Sequence, residues 1–501
     1  MLTLLLLFPL RTIATADEVA AFSLKDAVQH ALKNNLSLKV NAYQPAVAQT
    51  DILLARSQFD PILFANHTWS AFSEPLGNEF FSVADRRRRN YGIGIQHQLP
   101  VGWTYSVEYR NDYDRFALDR NQRLATSENN VFLRLVVPFM RGAGADVNRA
   151  GIDIATLAHQ SSLEAFEQSA LDLVLEVEQA YWALVQAQLV MDVRKRALDN
   201  SQQFLQLLEK EIEYGKSAPY EAYEAQQNVS SRERDLEQSA QAVELAEQEL
   251  SRLLGIDPVT IDIVPTQMPS LDVPKDLPDL ESAVAGAIER RPLIGQVDLS
   301  LEVLKHQLVV AENALLPALN AVGEHRVGDS VTGRYAWSVG LELELPLGNR
   351  EARARRNRIE VTYNQTLATR KDLEQRVRLE VAQALRTFDI AVRRVEAAEE
   401  ASVMAQKRVQ AELTRFQVGF TPSHRVIFAQ QQQIVTDEEG AVSRINLELA
   451  RSSYRRALGT ALQEFEMRPV PQGFDEGLPD PRVYPEIEVK DANVGDDPPT
   501  D

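Results

Sequence analysis

The side chains that most often perform chemistry are sparse in this sequence. The seven histidines, at positions 30, 67, 97, 159, 306, 325 and 424, show no H-x₃-H or other spacing that places metal ligands together on one helix. The chain has no cysteine, which excludes structural disulfides, thiolate catalysis and thiolate-held metals. No nucleophile elbow or phosphate-cradling glycine loop is present, and no carboxylate pair stands apart from the many on helices. We therefore predict no enzyme, no catalytic residue, no metal and no cofactor.

Charge and the N-terminus narrow the class of protein. The net charge of −19 argues against nucleic-acid binding, which needs a basic surface. Residues 1–16 are typical of a secretory signal peptide, with the apolar run LTLLLLFPL followed by Ala14-Thr15-Ala16; the alternative is a buried N-terminal segment. No later run approaches the ~18–20 apolar residues of a membrane helix. Any membrane contact is therefore expected through strands.

Several segments of the sequence occur twice in the same order. LKDAVQHALKNN from Leu24 matches LESAVAGAIERR from Leu280, and YGKSAPYEAYEAQQ (214–227) matches VGFTPSHRVIFAQQ (418–431). Pro138 and Pro346 occupy corresponding places between these matches. We interpret the chain as a tandem duplication. The predicted first repeat, 22–255, contains a helix, strands at about 61–138 and a helical hairpin at 146–254. After a linker at 256–278, the second repeat, 279–465, contains a helix, strands at about 317–346 and a hairpin at 350–458. A disordered Pro/Asp-rich tail is predicted at 466–501.

Two very long helices are predicted. Residues 146–213 contain no proline and one glycine, residues 350–418 contain neither, and each stretch would be roughly 100 Å long as a helix. Both follow a coiled-coil spacing, and each ends at a glycine, Gly215 or Gly419, before a second helix of about 35 residues. The expected seam residues are Val177, Tyr181, Leu184, Met191, Leu198, Leu205 and Ile212 in the first helix, and Val381, Leu385, Phe388, Val392, Val395, Val409, Leu413 and Phe416 in the second.

The predicted strands have one apolar and one polar face. WSVGLELEL (337–345) alternates tryptophan, valine and leucine with polar residues that include Glu342 and Glu344, and VFLRLVV (131–137) carries Arg134 on its second face. A soluble sandwich would bury the apolar face, whereas a transmembrane barrel would turn it to lipid. The signal peptide and the direct passage from strand to long helix favour the barrel, with Glu342, Glu344 and Arg134 facing its lumen. Pro138, Gly142, Pro346 and Gly348 mark the strand-to-helix junctions.

Taken in order, these motifs resemble the TolC-type outer membrane efflux protein family over about residues 22–465. The paired openings resemble the start of the family's repeat, VVPFMRGAG and LELPLGNREA its strand-to-helix junctions, and the two glycine segments its hairpin tips. The resemblance implies a mainly α-helical fold with a transmembrane β-barrel and long periplasmic hairpins, assembled as a homotrimer in the lipid of the Gram-negative outer membrane. It also implies a passive exit duct of a tripartite efflux pump or type I secretion system, joined to an inner-membrane transporter through a periplasmic adaptor that contacts the tips. The alternatives are a trimeric coiled-coil surface protein and a periplasmic adaptor.

Three features need the structure for their interpretation. The first repeat carries an extra strand pair, 91–99 and 103–113, which either enlarges the barrel or lies outside it. The family narrows its periplasmic entrance with acidic residues six and nine positions after the second tip glycine, where this chain has Arg425 and Phe428; the first copy has Glu221 and Glu224 at the same offsets. These glutamates form either an acidic ring or a solvated helix face. The run RRRR (86–89) is expected in an outer loop.

Overall fold

The computed structural model describes residues 18–74, 84–119, 122–257, 261–270, 279–328, 335–471 and 487–491. The predicted signal peptide, 1–16, lies outside the described residues, as do 472–486 and 492–501 of the predicted tail. The described residues fall into two units. One, the helical unit, lies within 1–44, 164–294 and 372–501; the other, the strand unit, comprises 45–163 and 295–371.

Long helices dominate the chain. The helices are α1 (Leu24–Asn34), α2 (Leu36–Arg56), α3 (Ala145–Glu213), α4 (Pro219–Leu254), α5 (Leu280–Arg290), α6 (Pro292–Asn313), α7 (Arg350–Gln417), α8 (Ser423–Leu458) and α9 (Ala461–Glu464), with a short 3₁₀ turn at Ser57–Phe59. The strands are β1 (Glu18–Phe22), β2 (Ile62–Glu74), β3 (Ala84–Gln98), β4 (Thr104–Asp119), β5 (Gln122–Pro138), β6 (Ile261–Pro265), β7 (Ala318–Gly328), β8 (Tyr335–Glu344), β9 (Met467–Pro471) and β10 (Ile487–Asp491).

The strand unit is built on one six-stranded antiparallel sheet. Its order is β2-β3-β4-β5-β7-β8, so β2 and β8 are the edge strands of the described sheet. The extra strand pair of the first repeat corresponds to β3 and β4, which pair with each other and with β2 and β5. The sequence left the place of this pair open, and the structure puts it inside the sheet.

The predicted outer loop at RRRR is wrong, because these four arginines belong to β3. They alternate between the two faces of the strand, and Arg88 lies directly opposite Asp114 of β4. Asp114 accepts hydrogen bonds from Arg86 Nε (3.0 Å) and Arg88 (3.2 Å), and Arg89 lies 5.0 Å from the centre of the Tyr113 ring. Cross-strand partners therefore allow a charge run that looks like a loop to continue the strand.

The main core of the helical unit combines residues from both ends of the chain. Tyr181 and Trp182 of α3 are fully buried at its centre, together with Leu32 of α1 and Leu254 of α4. Met467 of β9 and Ile487 of β10 belong to the same cluster. Lys25 and Glu466 form an ion pair of 3.0 Å although they lie 441 residues apart in sequence.

A contact between a short helix and the end of a hairpin occurs in both predicted repeats. In the first repeat the Asn35 side chain donates to the Leu253 carbonyl near the end of α4 (2.9 Å). In the second repeat Arg291, the residue that aligns with Asn35, donates to the Ala457 carbonyl near the end of α8 (3.1 Å). Different side chains thus donate to equivalent carbonyl groups at the C-termini of α4 and α8, which have no partner within their own helix.

Gly255, which ends α4, offers a direct test of this packing. Its φ of +72° is left-handed, and a Cβ there would lie 2.8 Å from the Asn34 carbonyl oxygen. We expect Gly255→Val to destabilise the protein by about 2 kcal/mol or more, since both the backbone conformation and the space disfavour a side chain. Gly440→Ala is the matched control, because a Cβ at this helical position meets no atom within 4 Å; it should be neutral or slightly stabilising. Thermal unfolding of the purified protein would measure both, and equal midpoints would contradict this packing.

A charged cluster lies within the helical unit. Glu178 of α3 is 1% exposed and contacts Arg455 of α8, which also pairs with Glu464 (3.0 Å). Arg456, next in sequence, pairs with Asp172 of α3 (2.9 Å) and Glu380 of α7 (2.8 Å). Burial raises the pKa of Glu178 to about 7, because the loss of hydration outweighs the attraction of the arginine. The cluster joins α3, α7, α8 and α9 through ion pairs around one buried carboxyl group, that of Glu178.

Two predicted boundaries need correction. The predicted linker, 256–278, contains β6, which pairs in parallel with β1, and Ile263 of β6 is buried. The prediction of a disordered tail is wrong for 467–471 and 487–491, where β9 and β10 form an antiparallel pair. In β10 the buried Ile487 and half-buried Val489 alternate with exposed Glu488 and Lys490. This is a strand pattern, but it is too short to stand out among prolines and aspartates.

The predicted seams agree with the structure in part. Val177, Tyr181 and Leu184 of α3 are fully buried, and Val381, Phe388 and Val395 of α7 are also buried. Further along α3, Leu198 and Leu205 are only half-buried, and the buried apolar positions are Val193, Ala197, Phe204 and Leu208. A globular helix buries a wider face than a strict two-position coiled-coil seam, and the buried stripe can move along that face.

Candidate functional site

Both predicted hairpin tips have the same backbone geometry. Gly215 (φ +69°) ends α3 and Gly419 (φ +80°) ends α7. In the first tip the Gly215 N–H donates to the Ile212 carbonyl (2.9 Å), and the Lys216 N–H donates to the Glu211 carbonyl (2.8 Å). In the second tip the N–H groups of Gly419 and Phe420 form the corresponding bonds, each at 2.9 Å, to the carbonyls of Phe416 and Arg415. The pattern is a Schellman motif, whose left-handed position favours glycine.

The two tips pack against each other through a small apolar cluster. Phe204 and Leu208 of α3 meet Phe416 of α7 and Val426 of α8, and all four are buried. The rings of Phe204 and Phe416 lie 5.4 Å apart in an edge-to-face arrangement. This cluster holds the hairpin of the first repeat to that of the second.

The four predicted entrance residues do not lie together at the tips. One of them lines a cavity there, and the other three are exposed outside it. Glu221 is half-buried and lines a cavity of about 620 Å³ together with Phe416 and Gly419. One of its carboxylate oxygens is buried and has no hydrogen-bond partner among the described residues. Glu224, Arg425 and Phe428 are exposed and are not among the residues that line this cavity. The Phe428 ring lies 5.6 Å from the guanidinium of Arg408.

The tips also carry exposed aromatic side chains that the sequence prediction missed. Tyr223 is 78% exposed and Phe420 is 83% exposed, and Tyr214 and Tyr220 are similarly accessible. The signal was present in YGKSAPYEAY, which has three tyrosines in ten residues beside a tip glycine. Exposed aromatic groups at one end of a hairpin are typical of a protein-binding surface.

The sheet has one mainly apolar face near its junctions with the helices. The register places Leu63, Ile95, Val107, Leu133, His325 and Trp337 in one row across six strands. The adjoining row on the opposite face contains Arg134, which pairs with Glu324 (3.5 Å) and lies beside Ser106. Glu342 lies on this polar face, opposite Asn320. Glu344 pairs with Arg141 (2.9 Å).

The predicted junction residues lie where strands give way to helices. Pro138 ends β5, and Gly142 (φ +82°) follows before α3 begins. The Gly142 N–H donates to the Asn313 side chain (2.7 Å), and the Gly142 carbonyl accepts from Asn148 (2.8 Å). Pro346 and Gly348 (φ +96°) occupy the corresponding segment between β8 and α7. Left-handed glycines therefore allow the change of direction in both repeats.

No group of three or more His, Cys, Asp or Glu side chains among the described residues is arranged to hold a metal ion. Among the helices of the described segments, none has the length and apolarity needed to cross a membrane.

Comparison with known proteins identifies the class. The model of the outer membrane efflux protein family matches residues 106–256 and 284–460, and the chain belongs to this family. The resemblance predicted from the sequence is thereby confirmed. The protein is an outer membrane efflux channel with a large helical part in the periplasm. Membership of this family favours the predicted channel over the two alternatives, a coiled-coil surface protein and a periplasmic adaptor. The family consists of channels rather than enzymes.

Individual relatives are distant in sequence. The fusaric acid resistance protein FusA of Burkholderia cepacia is 23% identical over 199 residues, which are 38% of this chain and 37% of that protein. The match therefore spans less than half of that relative. The structure is similar to the outer-membrane channel OprN (TM-score 0.66, 18% identity, 87% of this chain and 89% of that one). It is also similar to the outer membrane protein VceC of Vibrio cholerae (TM-score 0.64, 18% identity, 87% and 96%).

Proposed function

We propose that three copies of this chain close their sheets into one transmembrane barrel and act as the exit duct of a tripartite efflux pump. The observation that carries this proposal is the six-stranded sheet with an apolar face and two edge strands. Trp337, Val339 and Leu341 of β8 are each at least 70% exposed, which is costly in water but suits lipid. The hydrocarbon region of a membrane does not tolerate an open sheet edge, since unpaired backbone groups there cost several kcal/mol each.

Self-association would remove both edges. If β8 of one copy pairs with β2 of the next, the contact is head-to-tail and closes into a ring when its rotation allows. The extra strands β3 and β4 then widen the barrel. Arg134, Glu324 and Glu342 face the lumen in this arrangement, and the apolar row faces lipid.

The hairpin tips offer a binding surface for the other components of the pump. Their exposed aromatic residues fit a periplasmic adaptor that connects the duct to an inner-membrane transporter. The likeness to a protein named for fusaric acid resistance favours the efflux of small molecules, with type I secretion as the alternative. The duct itself passes substrate passively and provides no chemistry.

Opposite faces of β8 provide the test. Leu341→Arg puts a charge on the face assigned to lipid, and Glu342→Arg puts the same charge on the face assigned to the lumen. We expect the first variant to lose about 2–4 kcal/mol of membrane stability per copy and to fail to accumulate in outer membranes, whereas the second inserts normally. Wild type and Glu342→Arg should purify as trimers and give stable channels in planar bilayers. Monomers without conductance, or normal insertion of both variants, would contradict the proposal.

A further inference from the structure

The start of α7 is unusually basic for this acidic protein. The nine residues REARARRNR (350–358) contain five arginines and one glutamate, while the whole chain has a net charge of −19. The corresponding segment of the first repeat, GAGADVNRA (142–150), has one arginine and one aspartate. Basic residues in the first turns of a helix oppose the helix dipole, which favours negative charge there. An anionic partner would offset that cost.

Two of these five arginines form ion pairs with residues that the structure describes. Arg356 pairs with Glu360 and lies 3.7 Å from Glu312. Arg355 pairs with Glu351 (2.6 Å), but both side chains are more than 70% exposed, and such surface pairs are weak. Arg350, Arg353 and Arg358 are exposed and form no ion pair with any residue that the structure describes.

A groove with an apolar lining opens beside these arginines within the strand unit. Its volume is about 760 Å³, which falls in the range of ligand-binding sites. Four small residues leave the space between the helices: Ala150 and Gly151 of α3, Ala311 of α6 and Ala314, which directly follows α6. The larger apolar residues of the lining are Val147 and Ile154 of α3, Leu304 and Val310 of α6 and Ile359 of α7. Arg355 and Arg358 contribute the cationic groups.

The position of the groove indicates its occupant. Leu345 and Leu347, the latter 95% exposed, directly precede the arginine-rich turn of α7. If the apolar face of the sheet lies in lipid, as the proposed function requires, the start of α7 lies at the level of the phospholipid headgroups. A basic site at that level attracts anionic headgroups, and an apolar groove beside it accepts a hydrocarbon chain.

We propose that this groove binds an anionic phospholipid, with its phosphate on Arg355 and Arg358 and an acyl chain between α3, α6 and α7. The inference rests on the proposed membrane position of the sheet. The second repeat supplies the arginines of this site, and α3 of the first repeat supplies one wall of the groove. Bound lipid would fix the position of the strand-to-helix junction relative to the membrane surface.

The test uses purified full-length protein in a neutral detergent, stripped of native lipid. Phosphatidylglycerol, phosphatidylcholine and inorganic phosphate are added separately, and native mass spectrometry counts retained lipid while thermal unfolding reports stabilisation. We expect phosphatidylglycerol to be retained and to raise the unfolding midpoint, and phosphatidylcholine and inorganic phosphate to do neither. Equal effects of the two lipids, or an equal effect of inorganic phosphate, would overturn the proposal.

Variants test the arginines and the apolar groove separately. Arg355→Gln/Arg358→Gln should weaken phosphatidylglycerol retention about tenfold or more, from the loss of two cationic contacts near the lipid surface. Glu351→Gln should strengthen retention, because it frees Arg355. Ala311→Leu should reduce retention by filling the groove with the arginines intact. Arg393→Gln/Arg394→Gln, on the same helix outside the strand unit, is the charge-matched control and should behave as wild type.

Two other outcomes are decisive. If Arg355→Gln/Arg358→Gln dissociates the assembly and leaves lipid retention unchanged, the groove binds a second copy of the chain and the lipid proposal fails. Conductance of the same preparations in planar bilayers tests the proposed function separately. Conducting wild-type channels that do not discriminate between the lipids would overturn this inference alone.

Discussion

Between pH 5 and pH 8 we expect the wild-type protein to lose about 2–3 kcal/mol of stability through one buried side chain, Glu178. Its pKa is about 7 in the folded protein and 4.5 in the unfolded reference. Between these values the native state holds more protons than the unfolded state, so the free energy of unfolding falls as pH rises. Each pKa unit corresponds to about 1.4 kcal/mol. The contribution of the protonated carboxyl is complete below pH 4.5 and is lost as pH passes 7.

The variant Glu178→Gln isolates this effect. Glutamine keeps the shape of the side chain and a hydrogen-bonding oxygen for Arg455 but does not titrate. We expect the difference in unfolding midpoint between wild type and Glu178→Gln to change steadily from pH 5 to pH 8, with wild type becoming relatively less stable. Glu176→Gln, an exposed neighbour on the same helix, is the control and should follow the wild-type slope. Parallel curves for wild type and Glu178→Gln would contradict the elevated pKa.

At the hairpin tips we expect Glu221→Gln/Glu224→Gln to reduce cation selectivity of the channel severalfold. In a trimer these positions would place six carboxylates near the periplasmic entrance, and rings of acidic side chains select cations. The effect should be large at 0.1 M salt and weak at 1 M, since the screening length falls from about 10 Å to about 3 Å. Reversal potentials across a salt gradient measure the change.

Two further variants test the location of the charge. Glu233→Gln/Glu237→Gln removes two exposed carboxylates from α4, away from the tip, and should leave selectivity unchanged. Arg425→Gln removes a positive charge near the tip and should increase cation selectivity. Unchanged reversal potentials in Glu221→Gln/Glu224→Gln would identify these glutamates as a solvated helix face.

The sequence predicted the features that depend on local chemistry. Long runs without proline or glycine predicted α3 and α7, and Gly215 and Gly419 marked their ends because left-handed tips favour glycine. Alternating residues indicated β8 and its apolar face. The junction glycines, Gly142 and Gly348, both have positive φ.

Features that depend on distant partners were not predictable. The strand containing Arg86 and Arg88 depends on Asp114 across the sheet, so its arginines looked like a loop. β1 and β6 pair although more than 200 residues separate them, and each is only five residues long. The burial of Glu178 requires α8, and the groove beside Arg358 requires α3 and α6 to be packed. Local patterns carry no information about which elements become neighbours.

The presence of α1 and β10 in one core constrains how the protein folds after export. Leu24 and Ile487 belong to the same buried cluster, so this core is complete only after β10 has followed the earlier segments across the inner membrane. Until then the part of the apolar surface that β9 and β10 cover stays exposed, which invites aggregation. Folding with so many long-range contacts is intrinsically slow. We therefore expect biogenesis to depend on periplasmic holding chaperones, and export arrested before β10 to yield chains that proteases remove.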